Sequence, residues 1–362
     1  MKVLLVTGIF PPDIGGPATY VPKLALDLNA LGHDVSIVTL GSADSIYLFP
    51  HYRLRVINRN TWMPLRVLQT VYLILLESRK CQSIFSNGLF IETALALIFS
   101  KTKNSVVKIV GDPIWERQRN RGLTNVTLGD FLEQKLSFRL SILRKAFNWS
   151  WSQFDYRIAP SLELCAFVNR SLKAESCELV FNGVELQQEL SRSNTEKIIT
   201  VSRLVNWKNL DLVVRAAAIA KVKLIIIGSG PEENNLRNLA LSVKADVEFL
   251  GQLDSSSTLK AMRLAKYFVQ VSDYEGLSFS LLEAMSLGLI PIVSNVPGNT
   301  SVISHLVNGV VINPNENELV DALNQMKADQ LLCKRISFQA ISDVSAKFDG
   351  KILRSKVIDM LT

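Results

Sequence analysis

Short apolar runs alternate along the chain with longer amphipathic stretches. The chain opens on the apolar run KVLLVTGIF (2–10). A loop rich in Pro and Gly follows. The next stretch, VPKLALDLNALG (21–32), predicts a helix, because Leu24 and Leu28 recur at helical spacing and Gly32 ends it. A second apolar run, DVSIVTL (34–40), comes directly afterwards. Because two buried strands flank one helix, the pattern predicts a right-handed β-α-β unit.

The same alternation continues through the first half and restarts near residue 197. The further predicted strands are SIFSN (83–87), SVVKIVG (105–111), YRIAPS (156–161), KIITVSR (197–203), KLIIIGSGPE (223–232), VEFLGQ (247–252), YFVQVS (267–272) and PIVSN (291–295). Apolar strands separated by helices are typical of a parallel sheet that helices cover on both faces. The sequence therefore predicts an α/β chain with two Rossmann-like domains, whose parallel sheets face each other across a cleft.

A polar stretch, ELQQELSRSNTE (185–196), separates the two halves. It places an N-terminal domain at residues 1–185 and a C-terminal domain at 186–344. We expect a C-terminal helix at about 345–362 to pack back on the first domain.

Composition fits a soluble globular chain of this size. Its 362 residues suffice for two domains, and 48% of them are hydrophobic. Four cysteines without a C-x-x-C pair indicate reduced thiols in a cytosolic compartment, not a disulfide framework or a zinc site. The longest apolar stretches fall short of the ~20 residues of a membrane-spanning helix, which indicates buried helices.

Positive charge is concentrated in the first half. Residues 1–185 carry 21 Lys and Arg against 15 Asp and Glu, with clusters at 116–122 and 135–145. One interpretation is a solvated helix face, and the other is a surface for anionic lipid. Aromatic residues do not interleave with the basic ones, so nucleic acid is not an expected partner.

Two strand-to-helix loops carry candidate binding residues. Gly15 and Gly16 follow the first strand, where missing side chains let backbone N–H groups approach a phosphate or sugar. Arg203 and Lys208 follow the first strand of the second half, where two cations could neutralise a diphosphate. GSGPE (228–232) lacks the complete G-x-G-x-x-G pattern, which disfavours a hydride-transferring enzyme.

The segment EGLSFSLLEAMSLG (275–288) admits two interpretations. In the first, Ser280 and Glu283 form a capping box, S-x-x-E, and Glu275 is an exposed loop residue. In the second, backbone N–H groups from Ser278 to Ser280 hold phosphate at the start of the helix, and the two glutamates bind sugar hydroxyls. Spacing alone favours the capping box.

The whole chain resembles the retaining glycosyltransferases of family 4, a group 1 glycosyltransferase family with the GT-B fold. The matching segments are PPDIGGPATY, ALGHDVSIVTL, FNGVE, VSRLVNWKNLD, IIIGSGPE, VEFLGQL and EGLSFSLLEAMSLGLIPIVSN. The resemblance implies donor binding by Gly15, Gly16, Arg203, Lys208, Glu275, Ser278, Phe279, Ser280, Leu281 and Glu283. It implies that Glu275 contacts the donor sugar, that Glu283 contacts ribose, and that Arg203 and Lys208 hold the diphosphate. Catalytic roles fall to Glu275, Arg203, Lys208 and Asp112.

The sequence departs from the family in two places. Gly111-Asp112 stands where the family commonly has histidine followed by aspartate, and Gly298-Asn299 replaces the usual double glycine. Asp112, Trp115 and Glu116 are therefore expected to shape the sugar side of the cleft. Tyr20, Trp115 and Glu116 are assigned to the acceptor side.

The resemblance implies transfer of a sugar from a nucleotide diphosphate sugar to an acceptor hydroxyl, with retained anomeric configuration. No Asp-x-Asp motif is present, so we expect no metal and no cofactor beyond the donor. The expected acceptor is a saccharide or lipid-linked saccharide in cell-surface polysaccharide or lipopolysaccharide synthesis. The expected location is the cytoplasm, peripheral on the inner face of the membrane. A sugar-nucleotide epimerase of the same architecture and a catalytically inactive GT-B binding protein remain open as alternatives.

Overall fold

The computed structural model describes residues 1–13, 15–124, 126, 128–187 and 195–362, without the side chain of residue 120. These residues form two compact units. The first comprises residues 1–181 and 351–362, and the second comprises residues 182–350.

Fourteen strands and fifteen α-helices lie within these described ranges. The strands are β1 Lys2–Thr7, β2 Asp34–Gly41, β3 Ser45–Leu48, β4 Arg53–Asn58, β5 Ser83–Asn87, β6 Asn104–Lys108, β7 Tyr156–Ala159, β8 Cys177–Leu179, β9 Ile198–Val201, β10 Leu224–Ile227, β11 Val247–Gly251, β12 Tyr267–Gln270, β13 Ile290–Ser294 and β14 Val310–Ile312. The helices are α1 Gly16–Ala30, α2 Met63–Ser78, α3 Phe90–Leu97, α4 Pro113–Asn120, α5 Leu128–Glu133, α6 Phe138–Ser152, α7 Leu162–Leu172, α8 Leu210–Ala220, α9 Glu233–Ser242, α10 Ser255–Met262, α11 Phe279–Ser286, α12 Pro297–Thr300, α13 Glu316–Ala328, α14 Gln330–Lys347 and α15 Gly350–Leu361.

Each unit is built on one sheet with a doubly wound order. The first sheet runs β3-β4-β2-β1-β5-β6-β7-β8, and only the edge strand β3 is antiparallel to its neighbour. The second sheet runs β11-β10-β9-β12-β13-β14 and is parallel throughout. The predicted α/β class with two parallel-sheet units is therefore confirmed. The strand order reverses direction between β1 and β5 in the first unit and between β9 and β12 in the second, and such points are where open α/β sheets bind ligands.

Two local predictions differ from the structure at the start of the chain. The first strand ends at Thr7, so Gly8, Ile9 and Phe10 belong to the following loop. Helix α1 begins at Gly16, five residues before the predicted start at Val21. Pro17 lies in its first turn, where the missing N–H costs nothing because that group has no partner within the helix.

The boundary between the units lies a few residues before the predicted position. The structure divides the chain after Phe181, whereas the sequence placed the division after Glu185. Residues 188–194 of the predicted linker lie outside the described residues. At the C-terminus, α14 belongs to the second unit and the chain returns to the first unit from Lys351 onward.

Helix α15 is fixed to the first unit by polar contacts in its second turn and at its C-terminal end. The carbonyl of Leu361 accepts hydrogen bonds from Ser83 Oγ and from Asn104 Nδ2, the latter at 3.4 Å. Arg354, whose side chain is only 3% exposed, places Nε 2.5 Å from Asp27 Oδ2 on α1. A C-terminal segment therefore completes the N-terminal fold.

A buried lysine lies beside this arginine. Lys108, at the end of β6, has no solvent exposure, and its Nζ has no hydrogen-bond partner within the described residues. The ammonium group sits 3.6 Å from the centroid of the Tyr20 ring, a cation–π contact. Burial first, and then the charge of Arg354, lowers the pKa of Lys108 to about 7.

This lysine predicts a pH dependence of stability. Between about pH 7 and the ordinary lysine pKa of 10.5, the folded state binds fewer protons than the unfolded state. The free energy of unfolding therefore rises with pH in that window and does not change with this group below it. Lys108→Met removes the titrating group and keeps the apolar stem. We expect the stability of the wild type relative to Lys108→Met to increase from about pH 7 to pH 9, measured by urea denaturation. Lys103→Met, at an exposed position, is the control. If the difference in unfolding free energy between the wild type and Lys108→Met stays constant across this range, the lowered pKa of Lys108 is contradicted.

Candidate functional site

Two loops meet at the point where the strand order of the second unit reverses. The loop after β9 carries Lys208 at the end of a short 3-10 helix, Asn206–Lys208. The loop after β12 carries Glu275, which is only 8% exposed. Lys208 Nζ donates to Glu275 Oε1 at 2.5 Å, so the two side chains form a largely buried ion pair. The structure thus brings together two predicted site residues that are 67 positions apart.

Asn209 adds a second link between these loops. It adopts a left-handed backbone conformation, φ 50°, immediately before α8. Its Nδ2 donates to Val271 O at 3.0 Å and to Asp273 Oδ1 at 2.7 Å. The Trp207 carbonyl also accepts from the Asp273 N–H at 2.9 Å. The loop after β9 is therefore bonded along its length to the loop after β12.

A chain of buried hydrogen bonds also holds the Glu275 carboxylate. Ser272 Oγ donates to Glu275 Oε1 at 2.6 Å, and Ser294 Oγ donates to Ser272 O at 2.6 Å. Asn299 Nδ2 then donates to Ser294 O at 3.0 Å, and Asn299 Oδ1 accepts from Gln270 Nε2 at 2.8 Å. Sequence reasoning missed Ser272, Ser294 and Gln270, because each of them reads as an ordinary polar residue at a strand end.

Gly298 fits closely against the backbone of this loop. A Cβ atom at position 298 would lie 2.0 Å from Glu275 O and 2.8 Å from Gly276 O. Asn182, from the FNGVE segment, supports the same loop by donating to Leu277 O at 2.9 Å. The substitution of Gly298-Asn299 for a double glycine therefore keeps glycine where the backbone needs space and adds a buried amide beside it.

The start of α11 corrects the predicted capping box. The N-cap is Ser278, whose Oγ accepts from the Leu281 N–H at 3.3 Å, so Ser280 lies inside the helix. Glu283 is the fifth helical residue and is partly buried, too far along for capping. Glu275 is buried and paired, not an exposed loop residue. Both parts of the first interpretation of this segment are therefore wrong.

Gly288 ends α11. It has a positive φ of 78°, and the helix closes with hydrogen bonds from Gly288 N–H to Met285 O and from Leu289 N–H to Ala284 O. Glycine adopts this left-handed conformation without steric cost.

Arg203 lies in the same loop as Lys208 but in a different environment. Its side chain is exposed and has no hydrogen-bond or ion-pair partner within the described part of the chain. The neighbouring backbone packs against the GSGPE turn, where a Cβ at Gly228 would lie 1.9 Å from Ser202 O and one at Gly230 would lie 2.3 Å from Leu204 O. These glycines therefore permit close packing of two loops.

The predicted binding loop of the first unit is a helix start. Gly15 is the N-cap of α1, with φ 152°, and its carbonyl accepts from the Thr19 N–H at 3.1 Å. Gly16 is the first helical residue. Both lie at the carboxyl end of β1, at the reversal point of the first sheet.

Asp112 has a structural environment. Its side chain has no exposure, Oδ1 accepts from the Ile114 N–H at 2.9 Å at the start of α4, and Oδ2 pairs with Arg144. Both carboxylate oxygens are thus occupied inside the first unit. These contacts give Asp112 a structural role, because the group caps a helix and neutralises the largely buried Arg144, and its catalytic role stays a prediction.

Two residues assigned to the acceptor side belong to the core of the first unit. Tyr20 is 3% exposed and stacks on Phe85 with ring centroids 5.9 Å apart, and burial raises the pKa of its hydroxyl. Trp115 is 1% exposed and donates its indole N–H to Val126 O at 3.1 Å. Glu116 alone of the three predicted residues is exposed. The correction follows from helix geometry, since positions 20 and 115 lie on the inward faces of α1 and α4.

The comparisons with known proteins bear on this arrangement. Residues 184–343 match the sequence model of the family described as Glycosyl transferases group 1. That range contains the Lys208–Glu275 pair and the start of α11. The second unit therefore matches the group 1 glycosyltransferase model over nearly its whole length.

Relatives extend the similarity over the whole length of the chain. It is 23% identical to alpha-monoglucosyldiacylglycerol synthase of Streptococcus pneumoniae, over 100% of the chain and 86% of the relative. It is also 23% identical to the GDP-mannose-dependent monoacylated alpha-(1-6)-phosphatidylinositol monomannoside mannosyltransferase of Corynebacterium glutamicum, over 99% of the chain and 97% of the relative.

A solved structure identifies the fold of the chain. HepE of Anabaena, solved in complex with UDP and glucose, superposes with a TM-score of 0.80 at 19% identity, covering 99% of this chain and 98% of HepE. The chain therefore has the GT-B fold. Among the described residues, no helix is both long and apolar enough to cross a membrane.

The fit of Gly298 predicts a mutational effect on the candidate site. Gly298→Ala forces the Cβ against the Glu275 and Gly276 carbonyls, which must move the loop that holds the carboxylate. Because a misplacement of about 1 Å in an active site can cost roughly 10²-fold in rate, we expect a loss of turnover of that order. Steady-state assays beside a thermal melt will measure it. Thr300→Ala, at an exposed position of the same short helix, is the control, and equal activity of the two variants would show that the loop position is unimportant.

Proposed function

We propose that this protein is a retaining glycosyltransferase of family 4. It transfers a sugar from a nucleotide diphosphate sugar to a hydroxyl of a lipid-linked saccharide or glycolipid, in the synthesis of cell-surface polysaccharide or lipopolysaccharide. The observation that carries the proposal is the Lys208–Glu275 ion pair at the reversal point of the second sheet. It joins a cation suited to a diphosphate with a carboxylate suited to sugar hydroxyls.

The diphosphate is held by three groups in this proposal. Lys208 supplies a point charge, Arg203 supplies a planar fork of donors from its exposed position, and the first N–H groups of α11 supply backbone donors. Phe279 and Ser280 stand at this helix start, where N–H groups lack partners within the helix. The ribose hydroxyls bind to Glu283.

Glu275 binds hydroxyls of the donor sugar. Its Oε1 accepts from Lys208 and from Ser272, so one oxygen is fixed and the carboxylate keeps a defined orientation. An arriving diphosphate shares Lys208 with Glu275, which couples the position of the sugar to that of the leaving group. This coupling supports a common role for the two residues.

The reaction proposed here is a substitution on one face of the sugar. The acceptor oxygen bonds to the anomeric carbon on the face from which the diphosphate departs, and the anomeric carbon–oxygen bond to the diphosphate breaks. The acceptor proton passes to a diphosphate oxygen. Lys208, Arg203 and the helix start stabilise the charge that develops on the leaving group, which a metal ion does in other enzymes.

The acceptor class rests on the relatives. The pneumococcal and corynebacterial enzymes are named for products or substrates that are membrane lipids, a glucosyldiacylglycerol and an acylated phosphatidylinositol mannoside. The basic character of residues 1–185 is compatible with a lipid-linked acceptor at the inner face of the membrane. Cytoplasmic, peripheral localisation is part of this proposal.

The reaction itself is tested with a panel of UDP- and GDP-sugars. The protein is mixed with each donor and a lipid-linked saccharide acceptor, in EDTA and in Mg²⁺. We expect release of nucleotide diphosphate with one donor, at equal rates in both buffers, and an NMR spectrum with the anomeric configuration of the donor. A new sugar nucleotide without acceptor would indicate an epimerase. Inverted product would refute retention, activity only in Mg²⁺ would refute metal independence, and no turnover with any donor would indicate a binding protein.

The two glutamates are predicted to respond differently to conversion to glutamine. Glu275→Gln removes a negative charge beside Lys208, so binding of bare nucleotide diphosphate should stay equal or tighten while turnover falls. Glu283→Gln should weaken binding of bare nucleotide diphosphate by roughly fivefold, because hydrogen bonds to a charged group contribute about 1 kcal/mol more than neutral ones. Calorimetric titration with nucleotide diphosphate and with sugar nucleotide measures both.

A matched control is available in the same unit. Glu248 pairs with Lys223 at 2.8 Å on β11, so Glu248→Gln also breaks a Lys–Glu pair. We expect it to leave binding and turnover unchanged. If Glu275→Gln and Glu283→Gln both behave like Glu248→Gln, the two glutamates have no part in donor recognition.

A further inference from the structure

Two of the four cysteines lie face to face at one edge of the first sheet. Cys165 is in the first turn of α7, and Cys177 is the first residue of the edge strand β8. Both are free thiols, their Sγ atoms are 3.6 Å apart, and the Cys177 thiol donates a hydrogen bond to the Cys165 sulfur. We call these two residues the α7–β8 thiol pair.

A side-chain amide ties β8 to the helix turn that follows Cys165. Asn169 lies one turn after Cys165 on α7, and its Oδ1 accepts from the N–H groups of Ser176 and Cys177 at 3.0 and 2.9 Å. Strand β8 is thus bonded to α7 at the residue that carries the second thiol. The two sulfur atoms need to approach by only about 1.5 Å to reach the ~2.0 Å of a disulfide bond.

The electrostatic environment favours a thiolate at Cys165. The hydrogen bond from Cys177 lowers the pKa of Cys165 and raises the pKa of Cys177. The N-terminal turn of α7 adds the positive end of the helix dipole. Arg157, which stands opposite Cys177 in the β7–β8 register, places a further positive charge beside the pair. Because the thiolate is the nucleophilic form, Cys165 is the thiol that reacts first.

Burial gives the other two cysteines the opposite character. Cys81 is 8% exposed, and burial raises the pKa of its thiol to about 11. Cys333 is 3% exposed, its thiol donates to Met326 O at 2.9 Å, and burial raises its pKa as well. Buried thiols of this kind are inert. Cys177, in contrast, is partly exposed at the sheet edge, so a small oxidant can reach the α7–β8 thiol pair.

We propose that the α7–β8 thiol pair is an oxidation site, at which hydrogen peroxide joins Cys165 to Cys177 in a reversible disulfide. The oxidation needs neither donor nor acceptor, so it is independent of the proposed transferase reaction. A transient disulfide of this kind is typical of redox-sensing proteins in reducing compartments, and it requires no disulfide framework elsewhere in the chain.

The oxidation proceeds in two steps that consume one peroxide molecule. The Cys165 thiolate attacks one peroxide oxygen and the O–O bond breaks, which leaves a sulfenic acid on Cys165 and a hydroxide that takes up the proton lost from the thiol. The Cys177 sulfur then attacks the Cys165 sulfur, the S–O bond breaks, and the departing hydroxide takes the Cys177 proton. Two thiols thus lose two electrons and two protons, and one peroxide becomes two water molecules.

The disulfide fixes the last strand of the first sheet. Strand β8 has three residues and lies at the end of the sheet, beside β7. Short edge segments of this kind open locally at low cost, and a covalent link to α7 opposes the opening because it restricts the open state. Asn182, whose amide donates to Leu277 O, follows β8 after two residues. Oxidation therefore holds in place the strand that leads to the loop of the candidate site.

The test is thiol mapping of the full chain after exposure to hydrogen peroxide. The remaining thiols are blocked with N-ethylmaleimide, and the chain is digested with trypsin without reduction. Because trypsin cuts after Arg170 and Lys173, the disulfide joins two separate peptides. We expect this linked pair in the mass spectrum, its loss after dithiothreitol, and N-ethylmaleimide on Cys81 and Cys333.

Two variants and one local measurement complete the test. Cys177→Ser keeps a hydrogen-bond donor beside Cys165, so peroxide should leave a sulfenic acid there that dimedone labels. Cys81→Ser is the control and should form the disulfide like the wild type. Hydrogen exchange of the Glu178 and Leu179 amides should slow at least about tenfold in the oxidised wild type, and not in peroxide-treated Cys177→Ser.

Three outcomes would overturn the proposal. The first is full alkylation of all four cysteines after peroxide treatment of the wild type. The second is a disulfide that contains Cys81 or Cys333, or one that joins two copies of the chain. The third is equal hydrogen exchange of the β8 amides before and after oxidation. None of these results bears on the transfer of a sugar, so they leave the proposed function intact.

Discussion

The candidate site depends on the contact between the loops that leave β9 and β12. These strands are neighbours in the second sheet, and the strand order reverses between them. A crevice therefore opens between the loops at their carboxyl ends. The Lys208–Glu275 pair and the Asn209 amide close that gap. Both charges are largely removed from water, and a pair of this kind is retained only where its geometry and hydrogen bonds offset desolvation. Ser272 supplies the additional hydrogen bond that Glu275 Oε1 accepts.

Much of the architecture could be predicted from the sequence because strand burial leaves a clear signature. In the second sheet, β9, β10, β12 and β13 are continuous buried runs, as expected for strands buried on both faces, and each was located within a few residues. The short edge strand β14 was not predicted. The β3–β4 hairpin was missed because its first strand lacks this burial signature. Strand β3 is exposed at an edge and SIYL contains no alternation of buried and polar positions that would distinguish it from a loop.

The candidate site was predictable in its residue types but not in its contacts. Lys208 was identified through its position after a strand and Glu275 through the family resemblance, yet their pairing depends on the strand order, which the sequence does not state. The capping box failed because serines at 278 and 280 both suit an N-cap and only the backbone path selects Ser278. Tyr20 and Trp115 were misassigned because a motif indicates proximity to a site without indicating which way a side chain points on its helix.

The hydrogen-bond chain from Gln270 to Glu275 explains why the ligand-free site can be ordered before a donor arrives. Each member bonds to the next, and Asn299 and Ser294 have no exposure, so the carboxylate is anchored to β12 and β13 and not only to its loop. If a diphosphate draws Lys208 away, Glu275 keeps its bond to Ser272 and remains in position. The ion pair then serves as a replaceable contact and the buried chain as the permanent one. In the proposed reaction, this division of roles would give the site a fixed acceptor for sugar hydroxyls and a cation that can follow the leaving group.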